Sequence, residues 1–182
     1  MWRELAGMSR MKACNQAVTL TFQDLAPSHL PLLHGWLQQP HVREFWDDGD
    51  RTLQQVQAHY FGPARDAVGF MVTLGTEAVA YAQAYPVPEA SDYAKWRSST
   101  GETWGIDLFI GEERWLGHGL AVDLIKALLM HLRRQQPELQ RVLIDPEARN
   151  TRARHIYAKA GFVVVGEQRL LGKRMEIMAL DL

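Results

Sequence analysis

The residues best placed to do chemistry form the stretch Arg114-Trp115-Leu116-Gly117-His118-Gly119, which follows an alternating apolar run and precedes a helical stripe of leucines. A loop of pattern Arg-x-x-Gly-x-Gly at the start of a helix offers consecutive backbone N–H groups. Those orphan donors, with the positive end of the helix dipole, suit an anion such as a diphosphate. Glycine at 117 and 119 keeps Cβ atoms out of the anion's way. Two phosphate loops are excluded by the residues themselves: a dinucleotide fingerprint wants a third glycine where Val122 stands, and a Walker loop wants Gly-Lys-Ser/Thr where Gly119 is followed by Leu120-Ala121. Taken alone, the pattern also fits a tight turn that merely starts a helix.

Other chemistries find little support. The seven histidines, at 29, 34, 41, 59, 118, 131 and 155, include no HxxxH pair, and no Cys/His pair stands at zinc-ligand spacing, so no metal site is expected. The single Cys14 cannot close an internal disulfide, which points to a reducing, cytoplasmic setting. No Ser-His-Asp arrangement is recognisable, and no covalent enzyme intermediate is expected. A net charge of −1 gives no field for nucleic acid, and no run reaches the roughly 18 apolar residues of a membrane span. Apolar residues are 47% of the chain, enough for a core, and 182 residues fit one domain. The expected division is a flexible extension over 1–16 and one domain over 17–182.

Alternating and helical patterns supply the elements that must position the loop. Val18, Leu20 and Phe22 alternate with polar residues as a strand over 17–25. Ser28 is expected to cap a helix marked by Leu30, Leu33 and Leu37 and stopped by Pro40, and Thr52 with Gln55 has the form of a capping box for a second helix through Leu53, Val56 and Tyr60. Residues 70–74 and 78–85 flank Gly75 as a hairpin. Residues 87–102 read as a long loop, a kind that is often functional. Residues 104–110 alternate, with Ile106, Leu108 and Ile110 on one face and Asp107 and Phe109 on the other. After the glycine loop, Leu120, Leu124, Leu128 and Leu132 line a helix ended by Pro137, with Arg133 and Arg134 in its last turn. Residues 142–144 form a short buried strand. Asn150 is an N-cap for a helix carrying Ala153, Ile156, Tyr157 and Ala160, which Gly161 closes. Residues 162–167 and 175–180 pair through Gly172. The order β α α β β β α β α β β is mixed α/β.

About thirty residues beyond the glycine loop, Asn150, Tyr157 and Gly161-Phe162 stand in the spacing Asn-x6-Tyr-x3-Gly-Phe. Together with Arg-x-x-Gly-x-Gly and its preceding strand, this resembles the acetyl-CoA-binding core of the GNAT superfamily over residues 17 to 181. The resemblance implies a single domain with a central, mostly antiparallel twisted sheet of about seven strands flanked by about four helices. It implies acetyl-CoA as cosubstrate, its pyrophosphate on the amides of Arg114, Trp115, Leu116, Gly117, His118 and Gly119, with Leu120 beside them. The pantetheine arm would run along Phe109 and Ile110, approached by Asn150 and Tyr157 from the next helix. Within the superfamily, Phe45-Trp46-Asp47-Asp48-Gly49, Trp104-Gly105-Ile106-Asp107 and Ile144-Asp145-Pro146 resemble the aminoglycoside 6′-N-acetyltransferases. That implies an acceptor site of Trp46, Asp48, Trp104, Asp107 and Asp145, with Asp107 facing the amine. The segments Gly111-Glu112, through Val142, and Arg149-Asn150 are also similar to siderophore-pathway acyltransferases that act on lysine-type amines.

An alkylamine of pKa about 10.4 is neutral in less than roughly one molecule per thousand at pH 7, so a base is needed. Asp107 is the candidate, acting directly or through a water, with its pKa raised by partial burial or with a chiefly positioning role. A backbone N–H near Phe109 or Ile110 is expected to meet the thioester oxygen, and Tyr157 to protonate the departing thiolate. The expected partner is a small-molecule amine, with the chain a monomer or homodimer. A protein N-terminus as acceptor, and a non-catalytic acyl-CoA-binding module, remain open alternatives.

Overall fold

The structure, a computed structural model, describes residues 19–46 and 48–182. The expected extension over 1–16 lies outside the described residues.

Among the described residues, seven strands form one sheet in the order β1-β2-β3-β4-β5-β7-β6. They are β1 (Leu20–Asp24), β2 (Val68–Leu74), β3 (Glu77–Pro86), β4 (Glu102–Ile110), β5 (Leu139–Ile144), β6 (Val163–Leu170) and β7 (Lys173–Asp181). Every neighbouring pair is antiparallel except β4 and β5, which run parallel because a helical crossover, α4 (Leu120–Gln135), joins them. The other helices are α1 (Leu30–Leu37), α2 (Pro40–Arg43), α3 (Leu53–Tyr60) and α5 (Thr151–Ala160).

Among the described residues, five helices thus stand where the sequence suggested about four. Pro40 stops α1, as expected, but its fixed φ also makes it the first residue of the short α2. Ser28 is not a cap: residues Pro27–His29 form a 3-10 turn, and the Ala26 N–H donates to Nδ1 of His29 at 3.0 Å. The capping box on α3 is present, with Thr52 N–H donating to Gln55 Oε1 at 2.8 Å and Gln55 N–H to Thr52 Oγ1 at 3.3 Å. Asn150 caps α5 by accepting the Ala153 N–H at 3.0 Å, and Gly161 ends it at φ 106°.

The two faces of the sheet are covered differently. On one, α4 lays Leu120, Leu124, Ile125, Leu128 and Leu132 against Val72, Ala82, Ile106 and Val142. On the other, α1 to α3 cover Met71 and Tyr81, while Val87 and Trp96 of the 87–101 segment cover Leu143, Ile177 and Ala179. That segment holds a 3-10 turn, Ala94–Trp96, and is tied down by the buried Trp96 ring. Between these two coverings, over the junction of β4 and β5, the second face stays open. Among the described residues, no helix is long and apolar enough to cross a membrane.

Candidate active site

The opening follows from how β4 and β5 meet. They pair only from Glu102↔Leu139 to Gly105↔Leu143, and beyond that point β4 runs on without a partner on the β5 side. Backbone groups alternate along a strand. Gly111 N–H donates to the Val79 carbonyl at 2.9 Å, so odd-numbered amides of β4 face β3, and those of Leu108 and Ile110 face the gap. On the gap side the Ile110 carbonyl accepts Nε2–H of His41 at 2.9 Å. The amide expected from Phe109 therefore points the wrong way. Its ring packs instead against Trp36, Trp46 and Tyr81.

Past the end of β4 comes a 3-10 turn, Glu113–Trp115, and then the glycine loop. Gly117 (φ 84°) and Gly119 (φ 81°) are left-handed, and a Cβ added at either would meet no atom within 4 Å. Glycine is needed there by backbone conformation, and the space beside it is open. The amides of Trp115 and Leu116 are spent inside the turn, on Glu112 and Glu113 carbonyls at 3.0 and 2.9 Å. The donors left for an anion are those of residues 117–119 with Leu120 and Ala121 at the start of α4, since the Val122 N–H is bonded to the Gly119 carbonyl at 3.1 Å. Glu77 holds this loop from the β2–β3 hairpin, accepting from the guanidinium of Arg114 and from Trp115 Nε1. His118 is exposed.

A cavity of about 590 Å³ opens beside the β4 gap, and it gathers Trp46, Asp48, Asp107, Asp145, Asn150 and Tyr157. Strand register explains the meeting of the two carboxylates. Asp107 and Asp145 each lie two residues beyond the paired Gly105 and Leu143, so both project to the open face. Burial raises the Asp107 pKa, against hydrogen bonds from Gln83 and Tyr85 and the charge of Arg65. Burial and the neighbouring charge of Asp107 push Asp145 up to about 7, against the hydrogen bond from Tyr93. The Tyr157 hydroxyl is held well above its usual value by burial, then by Asp107 and Asp145.

Asp48 reaches the cavity wall with its carboxylate already engaged: Oδ2 accepts from Tyr60 at 2.8 Å and Trp46 Nε1 at 3.1 Å, and Oδ1 pairs with Arg51 at 2.9 Å. Its structural effect is to fix the Trp46 indole. Trp104 is not brought to the cavity. It shares the face of Ile106, opposite to Asp107, and donates Nε1–H to Glu102 at 2.9 Å.

Sequence reading missed Gln83, Tyr85 and Tyr93, all on the cavity wall. Gln83 sits directly opposite Asp107 in the β3–β4 register and donates Nε2–H to its Oδ2 at 2.7 Å. Tyr85 lies across Gly105, where any Cβ would meet the tyrosine ring at 2.3 Å. Tyr93 reaches from the 87–101 segment to donate its hydroxyl to Asp145. Odd-numbered β3 positions facing Asp107 were the available signal for Gln83 and Tyr85. The β6–β7 hairpin tip, with Leu171 at φ 49°, forms a further wall. Among the described residues, no group of three His, Cys, Asp or Glu could hold a metal ion.

Comparison with known proteins gives concordant results. Residues 26–170 match the acetyltransferase (GNAT) domain model. An aminoglycoside N(6′)-acetyltransferase type 1 of Klebsiella pneumoniae is 32% identical over 81% of this chain and 75% of its own length. The lysine N-acyltransferase MbtK of Mycobacterium sp. (strain MCS) is 26% identical over 82% of this chain and 61% of its own. A solved structure of AAC(6′)-Ib with paromomycin and acetyl-CoA superposes with a TM-score of 0.79 at 28% identity, over 90% of this chain and 93% of that one.

Proposed function

The chain belongs to the family of GNAT acetyltransferase domains, and from that membership we propose that it transfers an acetyl group directly to the 6′-amine of an aminoglycoside or similar aminosugar. It is an acetyl-CoA-dependent N-acetyltransferase of the aminoglycoside 6′-acetyltransferase type; the acceptor is the proposed part. The observation that carries it is the pair Asp107 and Asp145 in one cavity, beside the unpaired β4 edge that leads to the glycine loop. Two carboxylates suit an acceptor that arrives as an ammonium ion.

Acetyl-CoA supplies the acetyl group as a thioester, and the open loop at 117–119 with the amides of Leu108 and Ile110 fits its diphosphate and its amide-bearing arm. Asp107, with its pKa raised, is a stronger base than an ordinary aspartate and takes one proton from the bound ammonium, directly or through a water, before the freed nitrogen attacks. The second proton leaves the nitrogen as the carbon–sulfur bond breaks and passes to the thiolate sulfur or to solvent water. An amide at the gap, Leu108 or Ile110, stabilises the charge that develops on the carbonyl oxygen. Tyr157 remains a protonated donor across the neutral range. Even an unshifted tyrosine, pKa about 10, is a weaker acid than a thiol of about 8.5, so its help to the departing thiolate is a hydrogen bond and not full proton transfer. Trp46 and Asp145 hold the rest of the aminosugar.

A lysine-type acceptor is the second reading, favoured by the 26% identity to the lysine N-acyltransferase MbtK of Mycobacterium sp. (strain MCS) over 82% of this chain. Free-thiol release from acetyl-CoA, measured over a panel of kanamycin-type aminoglycosides, lysine derivatives and polyamines, separates the two. The aminoglycosides are expected to turn over best, and Asp107→Asn to lower their kcat/KM by about 10²–10⁴-fold. Faster turnover of free lysine derivatives would replace the aminoglycoside reading.

A further inference from the structure

Gln83 ends in an amide whose two faces are chemically opposite, and both are engaged. Its Nε2–H donates to Asp107 Oδ2 at 2.7 Å. Its Oε1 accepts from Arg65 Nη2 at 2.5 Å and from the Tyr81 hydroxyl at 3.0 Å. A guanidinium can only donate, so the amide oxygen must face Arg65, and the amide N–H is thereby turned toward the carboxylate. Arg65 is itself fixed from several directions. Nη2 also donates to Tyr81 at 3.1 Å, and the guanidinium lies over the Tyr60 ring with its carbon 4.5 Å from the centroid. Arg65 does not line the cavity.

We propose that Arg65 is a positioning residue which fixes the end of the Gln83 amide that meets Asp107, and so keeps Asp107 in the form able to accept a proton. This rests on the reading of Asp107 as the group that meets the acceptor amine. The Tyr81 hydroxyl cannot set the polarity by itself, because it can donate to a carbonyl or accept from an N–H. Without Arg65 the amide is free to turn. A carbonyl facing Asp107 is satisfied only when the carboxyl carries its proton, whereas the N–H that now faces it is satisfied by the carboxylate. The remaining groups facing Asp107 are Tyr85 on β3, Asp145 at the end of β5, Tyr93 on the 87–101 segment and Tyr157 on α5. All four persist when Arg65 is replaced. The charge of Arg65 also acts on Asp107 directly, in the same direction as the Gln83 hydrogen bond. The two routes must therefore be separated by experiment.

The test is a titration of the Asp107 side-chain carboxyl by carbon NMR, its signal assigned by its loss in Asp107→Asn, beside the pH profile of kcat/KM. Arg65→Met is expected to move the midpoint up by about one pH unit, with about a tenfold loss of rate below it. Arg65→Lys, another pure donor, is expected to restore most of the shift, and Arg133→Met on the exposed face of α4 to leave it at the wild-type value. Gln83→Leu is expected to raise the midpoint, and Arg65→Met to add clearly less in that background than it does in the parent, the remainder being the direct effect of the charge. An unmoved midpoint in Arg65→Met overturns the proposal, as does an equal rise with and without Gln83, which would mean that the charge acts only directly and not through the amide. Arg65→Gln serves in the same scheme if the methionine variant does not fold. The titration requires no turnover, so failure on every amine with the midpoints behaving as stated sinks the acetyl-acceptor assignment and leaves the Arg65 role standing.

Discussion

Asp145 is the side chain whose ionisation differs most plainly between the folded and unfolded chain. Its pKa is about 7 in the fold, against about 3.9 for a free aspartate. A raised acid favours the folded state most below its unfolded value, and that contribution is lost as pH rises through about 7. Asp145→Asn removes the penalty. At pH 8 the variant is expected to be more stable than the parent by about 1 kcal/mol after solvent screening, or roughly 2–4 °C in Tm, with the gain vanishing near pH 4.5. Thermal melts at the two pH values check this, and a gain that is equal at both would contradict it. Asp107, Asp145 and Tyr157 were legible in the sequence because each sits inside a short local pattern. Gln83, Tyr93 and Arg65 were not. Gln83 depends on cross-strand register, Tyr93 on the path of a long loop, and Arg65 on contacts made through other side chains.

At the level of elements, β4 carries the clearest expectation. Leu108 and Ile110 amides face the gap, whereas those of Asp107 and Phe109 face β3. Hydrogen exchange should therefore alternate along the strand, fast at 108 and 110 and slow at 107 and 109, and addition of CoA should slow the fast pair by at least about tenfold. Exchange that is uniform along β4, or indifferent to CoA, would remove that edge from the binding surface. Alternation and capping residues predicted this strand and most others well. The errors came where a residue has two local uses: Pro40 ends one helix and begins another, and Ser28 lies in a 3-10 turn although its type suits an N-cap. The buried Trp96 was illegible for a different reason, since nothing along the chain shows that 87–101 packs back onto β5 and β7.

Across the whole molecule, the covering made by α1 to α3 reaches the end of β4. A Cβ at Gly111 would lie 2.1 Å from the Trp36 ring, and Trp36 Nε1 donates to Glu112 at 3.0 Å, so α1 is seated directly on the strand that leads into the glycine loop. Gly111→Ala is expected to cost about 1–3 kcal/mol through overpacking. That lowers Tm by roughly 2–4 °C per kcal/mol in a chain of this size. Calorimetry measures it, and an unchanged Tm would show that α1 gives way freely.

The glycine loop and α4 form a continuous stretch, 111–135, and none of its described residues lines the cavity. The cavity's outer walls come instead from three distant places: the segment after α2, Tyr93, and the turn at Leu171. The loop proposed to hold the diphosphate and these outer walls are thus written in separate parts of the sequence. Transplanting those three short segments from another enzyme of the family is expected to recast which amines enter while sparing the loop proposed to grip the nucleotide, which makes this scaffold a practical starting point for engineering acyl transfer.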